Sequence, residues 1–338
     1  MTDRTMTDRP IRWGIASTGS IAASMTQALQ TLDEGPNVAA VAAVGSRAQD
    51  SADEFAQRFG IPRAHGTYED LFADPDVDMV YIASPHTSHC EMTLAALRAG
   101  KHVLCEKPIA VNAVEARTMV DTARSEERFL MEAMWTWFIP AIVDIKRRIE
   151  AGEIGRLTVI ESDFGITVLV EDGRHRRIDL AGGALLDLGI YPISLARFLT
   201  GDPAGTLTDV RALARLGPSG VDSTLGGVLQ IGDDVVSVFH TSLDATSTLR
   251  ATIIGTDGRI DIDPPFWFSE GFTLHRNGQP SEHIALPNQG LAHEAAHAMA
   301  RVRGGHLESD VIPLDVSIGT MEILDEIRRQ VGVTYPGE

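Results

Sequence analysis

Short, continuously apolar runs alternate with amphipathic stretches over the first third of the chain. Ile11-Arg-Trp-Gly-Ile-Ala16 reads as a strand. Ser20 to Leu32 then carries Ile21, Met25, Ala28, Leu29 and Leu32 at helical spacing. Val38 to Val44 is apolar throughout, as a strand buried on both faces must be. Asp50 to Phe59 predicts a helix that Gly60 ends. A short helix over Tyr68 to Phe72, a strand over Val77 to Ala83 and a helix over His89 to Ala99 follow. His102 to Cys105 is the next strand, Asn112 caps a helix running to about Ser125, and Phe129 to Met134 is again a strand. This rhythm predicts an α/β fold whose N-terminal part is a doubly wound parallel sheet of the Rossmann type with right-handed crossovers.

The texture changes after Trp135. A helix over Ile139 to Ala151, an alternating strand over Leu157 to Ile166 and a helix over Gly183 to Leu199 lead into runs rich in Thr, Val and Ile. Leu225 to Ile231, Val235 to Leu243 and Leu249 to Ile262 are the clearest, with a tight turn at Gly232-Asp233. Helices over Leu291 to Arg303 and Asp315 to Val331 close the chain. The pattern predicts two domains: residues 10–135, and an α+β domain over 136–338 with a mostly antiparallel open sheet, whose last helix is free to pack back on the first.

Composition narrows the partners. The 338 residues carry a formal net charge of −18, which repels phosphate backbones and anionic lipid, so nucleic acid and membrane are poor candidates. No uninterrupted apolar run approaches the roughly 18 residues of a bilayer span. Two cysteines, Cys90 and Cys105, are too few for a disulfide framework and fit a reducing, cytoplasmic setting. Residues 1–9 hold a charged, repeated Met-Thr-Asp-Arg and read as a lead-in or an alternative start rather than a signal peptide.

The first strand-to-helix turn, Ser17-Thr18-Gly19-Ser20-Ile21-Ala22, is a degenerate G-x-G-x-x-[GA] in which serine replaces the first glycine. Gly19 would let backbone approach a pyrophosphate, and Ala22 would let helix pack on strand. Tight turns before any helix favour the same residues, so position after the first strand is what gives the match weight. At the end of the second strand an NAD site carries Asp or Glu for the ribose 2′-hydroxyl. Here the chain has Ser46-Arg47, with Asp50 three residues beyond. Arginine and a hydroxyl suit a 2′-phosphate, which favours NADP, with NAD as the alternative. Ser84, Pro85, His86 and His89 follow the fourth strand on the same sheet edge, where they border the nicotinamide half of a cofactor or form an ordinary loop.

Glu106-Lys107-Pro108 lies at that edge too. By itself it reads equally as an ion pair before a turn. The chain resembles the Gfo/Idh/MocA oxidoreductases, whose most recognisable motif is this Glu-Lys-Pro. The resemblance runs through Gly14–Ala22, Tyr81–Pro85 with His89, Gly100–Pro108, Glu132–Trp135, Gly182–Tyr191 and Val311–Pro313. Within the family the look is closest to the dimeric dihydrodiol dehydrogenases and NADP-dependent D-xylose dehydrogenases, on Glu132–Phe138 and on tyrosine at position 191. The resemblance implies hydride transfer at a sugar, polyol or diol carbon. It also implies a homodimer or higher homo-oligomer formed through the open face of the second sheet.

That chemistry needs an acid/base for the hydroxyl proton. A tyrosine, with a reference pKa near 10, serves only if its anion is stabilised. A lysine ammonium about 4 Å away supplies about 4 kcal/mol at an effective dielectric near 20, enough to lower the phenol by two to three units. Lys107 and Tyr191 are therefore the expected catalytic pair. Asp187, four residues before Tyr191, orients substrate or Lys107, or is simply a helix-terminal charge. Glu106 and Trp135 join the expected cofactor set, and Trp135, Trp137 and Phe164 join Asp187 on the substrate side. Trp135, Trp137 and Phe138 are equally explained by packing. His293-Glu294-Ala-Ala-His297 matches the zinc-peptidase motif H-E-x-x-H, but a third ligand is missing, so a polar helix face is the expected reading and no metal is expected. Two rivals remain: a glycosidase on the same fold that retains its NAD, and a non-catalytic NADP-binding regulator.

Overall fold

The computed structural model describes residues 9–32, 38–169, 173–201 and 207–338. The lead-in read into residues 1–8 lies outside them. The chain divides into two compact units. One combines the chain up to Trp135 with Gln289–Ser317, the other Thr136–Asn288 with Ile318–Glu338.

The first unit is built on six parallel strands: β1 (Ile11–Ala16), β2 (Ala39–Gly45), β3 (Arg63–His65), β4 (Met79–Ile82), β5 (His102–Glu106) and β6 (Leu130–Ala133). Their order, β3-β2-β1-β4-β5-β6, reverses direction of travel between β1 and β4, the switch point of a doubly wound sheet. Helices α1 (Ser20–Gln30), α2 (Gln49–Phe59), α3 (Tyr68–Ala73), α4 (His89–Arg98) and α5 (Ala113–Ser125) make the crossovers. The helix signals work as read: Gly60 closes α2 in the left-handed region at φ 67°, and Asn112 accepts the Glu115 N–H at 2.9 Å. The strand β3 was not read from the sequence, because three residues with two charged or polar side chains give no periodicity.

In the second unit, α6 (Pro140–Glu150), β7 (Leu157–Gly165) and α7 (Ile190–Thr200) precede an eight-stranded sheet completed by β8 (Leu207–Leu216), β9 (Asp222–Ile231), β10 (Val235–Ser242), β11 (Ala251–Gly255), β12 (Gly258–Ile262), β13 (Gly271–Arg276) and β14 (Glu282–Ala285). The order is β14-β13-β12-β11-β7-β10-β9-β8, and only β7 and β10 run parallel. The single run read over Leu249 to Ile262 is two strands with a turn at Thr256-Asp257. Gly258 is needed there, since a Cβ would come within 2.2 Å of the His275 carbonyl oxygen. One face of the sheet is buried through Leu225, Leu229 and Phe239. The other carries the exposed Leu213, Val228 and Val238.

Residues 289–317, read from sequence as part of the second domain, belong to the first unit. They hold α8 (Ala292–Arg303) and the start of α9 (Leu314–Val331). Trp13 Nε1 donates to Met299 Sδ at 3.3 Å, Arg303 bonds the carbonyl oxygens of Arg9 and Val38, and Leu130 N–H bonds Leu307 O. The segment Ile178–Thr200 is long and apolar enough to cross a bilayer, with a mean hydropathy of 1.3, but 83% of that window is buried inside the protein. Counting uninterrupted runs missed it; its polar residues are too sparse to lower the average.

Candidate active site

The turn after β1 takes the shape its sequence suggests. Ser17 sits at φ 126°, a backbone conformation natural to the glycine it replaces and strained for a residue with a Cβ, by roughly 1–3 kcal/mol. Its N–H bonds Gly45 O at 3.0 Å, and Ser46 N–H bonds His65 O at 3.0 Å, so the ends of β1, β2 and β3 are tied in sequence. Gly19 caps α1 with no side-chain hydrogen bond, and α1 has no acidic residue in its first turn. A Cβ on Gly19 would meet only Ser17 Oγ, at 3.8 Å. Packing therefore does not require glycine there, whereas close approach of a pyrophosphate to the helix N-terminus does. Ser20, exposed, and Thr18 and Ile21, both half-buried, complete the turn. Beyond β2, Ser46 is buried and Arg47 exposed.

His86 and His89 lie after β4 with ring centroids 5.6 Å apart, edge to face. His89 is fully buried. Its Nδ1 lies 2.8 Å from Pro108 O and its Nε2 2.9 Å from Ser84 O. It therefore braces the Ser84-Pro85 loop against the Glu106–Pro108 corner from inside, a different role from the direct cofactor contact the sequence suggested. Glu106 is also inward-facing. One of its oxygens accepts the Tyr81 hydroxyl proton and the other the Lys107 N–H, at 3.1 Å. Both oxygens thus accept, the role of an ionised carboxylate. Glu132, 2% exposed, accepts the Ile109 N–H at 2.9 Å and fixes the far side of the corner. Lys107 and Trp135 are half-buried.

The other expected residues belong to the second unit. Residues Leu185–Gly189 form a π-helical turn that runs into α7. The sequence predicted one uninterrupted α-helix with Asp187 and Tyr191 on a common face; the wider turn changes that relation. Asp187 is buried and holds Arg174 Nη2 and His175 Nε2, each at 3.1 Å. Its charge is thereby shared with two basic groups. Tyr191 is 6% exposed. Its ring lies 5.4 Å from that of Phe164 and 6.1 Å from that of Trp267, and Phe164 stacks on Trp267. Trp137 goes elsewhere: it is buried with its ring 4.8 Å from Phe198, which favours the packing reading over a substrate wall.

The turn carrying Asp187 and Tyr191 starts on Asp222. This carboxyl, fully buried, accepts the Leu185 N–H at 2.6 Å. Burial pushes it up to about 7, against the pull of the Leu185 and Ala184 N–H groups and of Arg328. Asp222, Trp267, Arg174, Tyr81 and Glu132 were all absent from the sequence-based site. Glu132 carried a usable signal, since an acid inside the otherwise apolar Leu130–Ala133 must find a partner.

The H-E-x-x-H segment opens α8. His293 Nε2 accepts the Gln289 N–H at 3.1 Å and His297 Nε2 lies 2.8 Å from Ser309 Oγ. Among the described residues no group of three or more His, Cys, Asp or Glu is placed to hold a metal.

Comparison with known proteins agrees with this architecture. Residues 11–134 match the Gfo/Idh/MocA oxidoreductase family, NAD-binding Rossmann fold, and residues 142–261 its C-terminal domain. Trans-1,2-dihydrobenzene-1,2-diol dehydrogenase of Macaca fuscata fuscata is 38% identical over 335 residues, covering 96% of this chain and 98% of that protein. The crystal structure of KijD10, a 3-ketoreductase from Actinomadura kijaniata in complex with NADP and TDP-benzene, is 27% identical with a TM-score of 0.84, over 96% and 98% of the two chains. Aldose-aldose oxidoreductase from Caulobacter crescentus, complexed with glycerol, shares the fold at 23% identity and a TM-score of 0.86, over 96% and 98%. With a Rossmann unit whose first turn, second strand end and Glu-Lys-Pro corner are all in place, the chain belongs to the Gfo/Idh/MocA family and is an NAD(P)-dependent dehydrogenase acting on CH–OH groups.

Proposed function

We propose that this enzyme is an NADP-dependent dehydrogenase that moves a hydride between the nicotinamide and a hydroxyl or carbonyl carbon of a sugar, polyol or trans-diol. The observation that carries the reading is the setting of Tyr191, a phenol at the start of a buried helix with an aromatic wall of Phe164 and Trp267 beside it. The relatives' names, a diol dehydrogenase and sugar oxidoreductases, support the substrate class.

Bound NADP would supply the hydride acceptor or donor. The chain's own residues do the rest. Ser17, Thr18, Gly19, Ser20 and Ile21 would hold the pyrophosphate at the start of α1. Ser46 and Arg47 would take the 2′-phosphate, where a carboxylate would repel it. Ser84, Pro85 and His86 would line the nicotinamide side with Trp135, while His89 and Glu106 hold their loops. Tyr191 removes the substrate hydroxyl proton in oxidation and returns it in reduction, and the Lys107 ammonium stabilises its anion. Asp187 would orient the substrate hydroxyls. Its pairing with Arg174 and His175 offsets the repulsion its charge would exert on a tyrosinate.

The test is kinetic. Tyr191→Phe keeps the ring and removes only the oxygen, so turnover should fall by about 10²–10⁴-fold with little change in NADPH affinity. Lys107→Met should be at least as damaging, and the double variant scarcely worse than the poorer single. A Tyr191→Phe enzyme with near-full turnover and an unchanged pH profile would refute the assignment. We further place the protein in the cytoplasm as a homodimer that pairs through the open sheet face, where Val228 and Val238 are directly opposite on β9 and β10 and Leu213 is 85% exposed on β8.

A further inference from the structure

Glu294 is the acid of the H-E-x-x-H segment, and the family function leaves it unused. It lies in the first turn of α8 with 0% exposure, and neither of its carboxyl oxygens has a hydrogen-bond partner among the described residues. An ionised carboxylate is not left in that state, because its desolvation is uncompensated. What faces it is informative. Tyr81 on β4 interacts electrostatically with Glu294, Glu106 and Cys105, and Glu294 also with Glu106 on β5, while Glu132 on β6 acts on Cys105. The helix α1, which packs on α8, carries no titratable side chain along Ser20–Gln30. His293 and His297, the basic neighbours on Glu294's own helix, are engaged with Gln289 and Ser309.

We propose that Glu294 is a positioning residue for the Glu106-Lys107 corner: it stands as a neutral carboxylic acid in a buried Tyr81–Glu106–Glu294 cluster and so leaves that cluster's single negative charge on Glu106. Glu106 spends that charge on the Tyr81 hydroxyl and the Lys107 N–H. A second carboxylate in the same dry pocket would repel Glu106, loosening the backbone from which Lys107 projects. Burial, and then the charge of Glu106, push the Glu294 carboxyl well above its ordinary range. Burial and the same Glu106 charge raise Tyr81 as well, which keeps its proton available for donation. Because the two carboxyls are coupled, the ionisation belongs to the pair, and it should appear on the alkaline side of the activity profile.

The proposal rests on Lys107 working in catalysis, so its test includes a readout that does not need turnover. The infrared difference spectrum of wild type minus Glu294→Gln at neutral pH should show a protonated-carboxyl band, the contribution of Asp222, raised to about 7, cancelling between the two proteins. Glutamine keeps the shape and a donor but cannot ionise. Glu294→Gln should therefore retain kcat and cofactor KM within about threefold, and its alkaline limb should move to higher pH or vanish. Glu294→Met keeps the length and likewise cannot ionise, so it should retain turnover within about threefold and show the same upward move or loss of the alkaline limb. No protonated-carboxyl band in that difference spectrum would overturn the proposal. So would a folded Glu294→Gln protein slowed by a hundredfold or more, since the ionised form would then be the working one. A Glu294→Met enzyme equal to wild type at every pH would reduce Glu294 to core filling. If Lys107→Met leaves activity intact, it is the role given to Lys107 that fails, and the infrared band still decides the state of Glu294.

Discussion

Replacing Asp222 by Asn should stabilise the protein, and the gain should grow with pH. Asp222 is fully buried and its carboxyl is raised from 3.8 to about 7. Holding it ionised above pH 7 therefore costs about 4 kcal/mol relative to the unfolded chain, at 1.36 kcal/mol per unit. The sign follows from linkage. With the folded value above the unfolded one, Asp222 contributes most to stability below pH 3.8, loses that contribution as pH rises toward 7, and changes little beyond. Asparagine keeps a carbonyl oxygen for the Leu185 N–H. It also places an NH₂ at the Asp222 Oδ1 position, which has no hydrogen-bond partner among the described residues, and an unpaired buried donor costs about 1–3 kcal/mol.

The balance is a variant about 1–3 kcal/mol more stable than wild type at pH 8 and close to it at pH 5. The pH-dependent part is the sharper number. Between pH 5 and pH 8 the difference between the two proteins should widen by about 2.5 kcal/mol. Taking the difference removes every other titrating group. Urea unfolding of both proteins at four pH values measures it. Because two units need not unfold together, hydrogen exchange at the Leu185 amide gives a local check. A stability difference that stays constant within about 0.5 kcal/mol from pH 5 to 8 would refute the argument, and so would one that narrows as pH rises.

Arg47→Asp should weaken NADP(H) by about 10–100-fold, the scale of a lost charge-assisted clamp, and leave or improve NAD(H), as measured by cofactor titration. Gly19→Val should abolish binding of both cofactors with the melting temperature nearly unchanged, since a Cβ there meets only Ser17 Oγ at 3.8 Å. Arg174→Ala exposes the Asp187 charge, so turnover should fall less than in Tyr191→Phe and the oxidative pH profile should shift upward. Val238→Glu sets a charge in the middle of the open sheet face, and sedimentation should then show a monomer if that face is the dimer contact.

The parts of the fold that repeat a simple rule were readable in advance. Val38 to Val44 is apolar throughout and lies inside the parallel sheet; Asn112 and Gly60 bound helices because their chemistry suits helix ends. What escaped was set by distant partners. The Gln289–Ser317 segment is helical by pattern, but its place in the first unit depends on Trp13 meeting Met299, a pairing no local window contains. The π-helical turn at Leu185–Gly189 escaped for the same reason. Its sequence is an ordinary apolar helix, and its start is fixed by Asp222, thirty-seven residues on in the chain.

The acids show why site residues were harder to read than the fold. With 47 acidic side chains in the sequence, each one met in isolation reads as part of a solvated surface. Glu106, Glu132, Asp222 and Glu294 are all buried instead. Three of them accept backbone N–H groups, at Lys107, Ile109 and Leu185, and each of those groups lies within a few residues of a proposed catalytic side chain. Burying a carboxyl is unfavourable unless donors meet it, so each marks a place where backbone geometry is held at a cost in stability. That cost is what turns a common strand-end loop and an ordinary helix into fixed supports for Lys107 and Tyr191. The same reasoning explains why the aromatic signal alone could not separate Trp137, which packs on Phe198, from Phe164, whose ring lies beside Tyr191. A large ring lowers its free energy wherever it is buried, so its type alone cannot separate core from pocket. A carboxyl in a dry strand has far fewer places where it can be tolerated, and it is the more specific guide to where the chain has been shaped for chemistry.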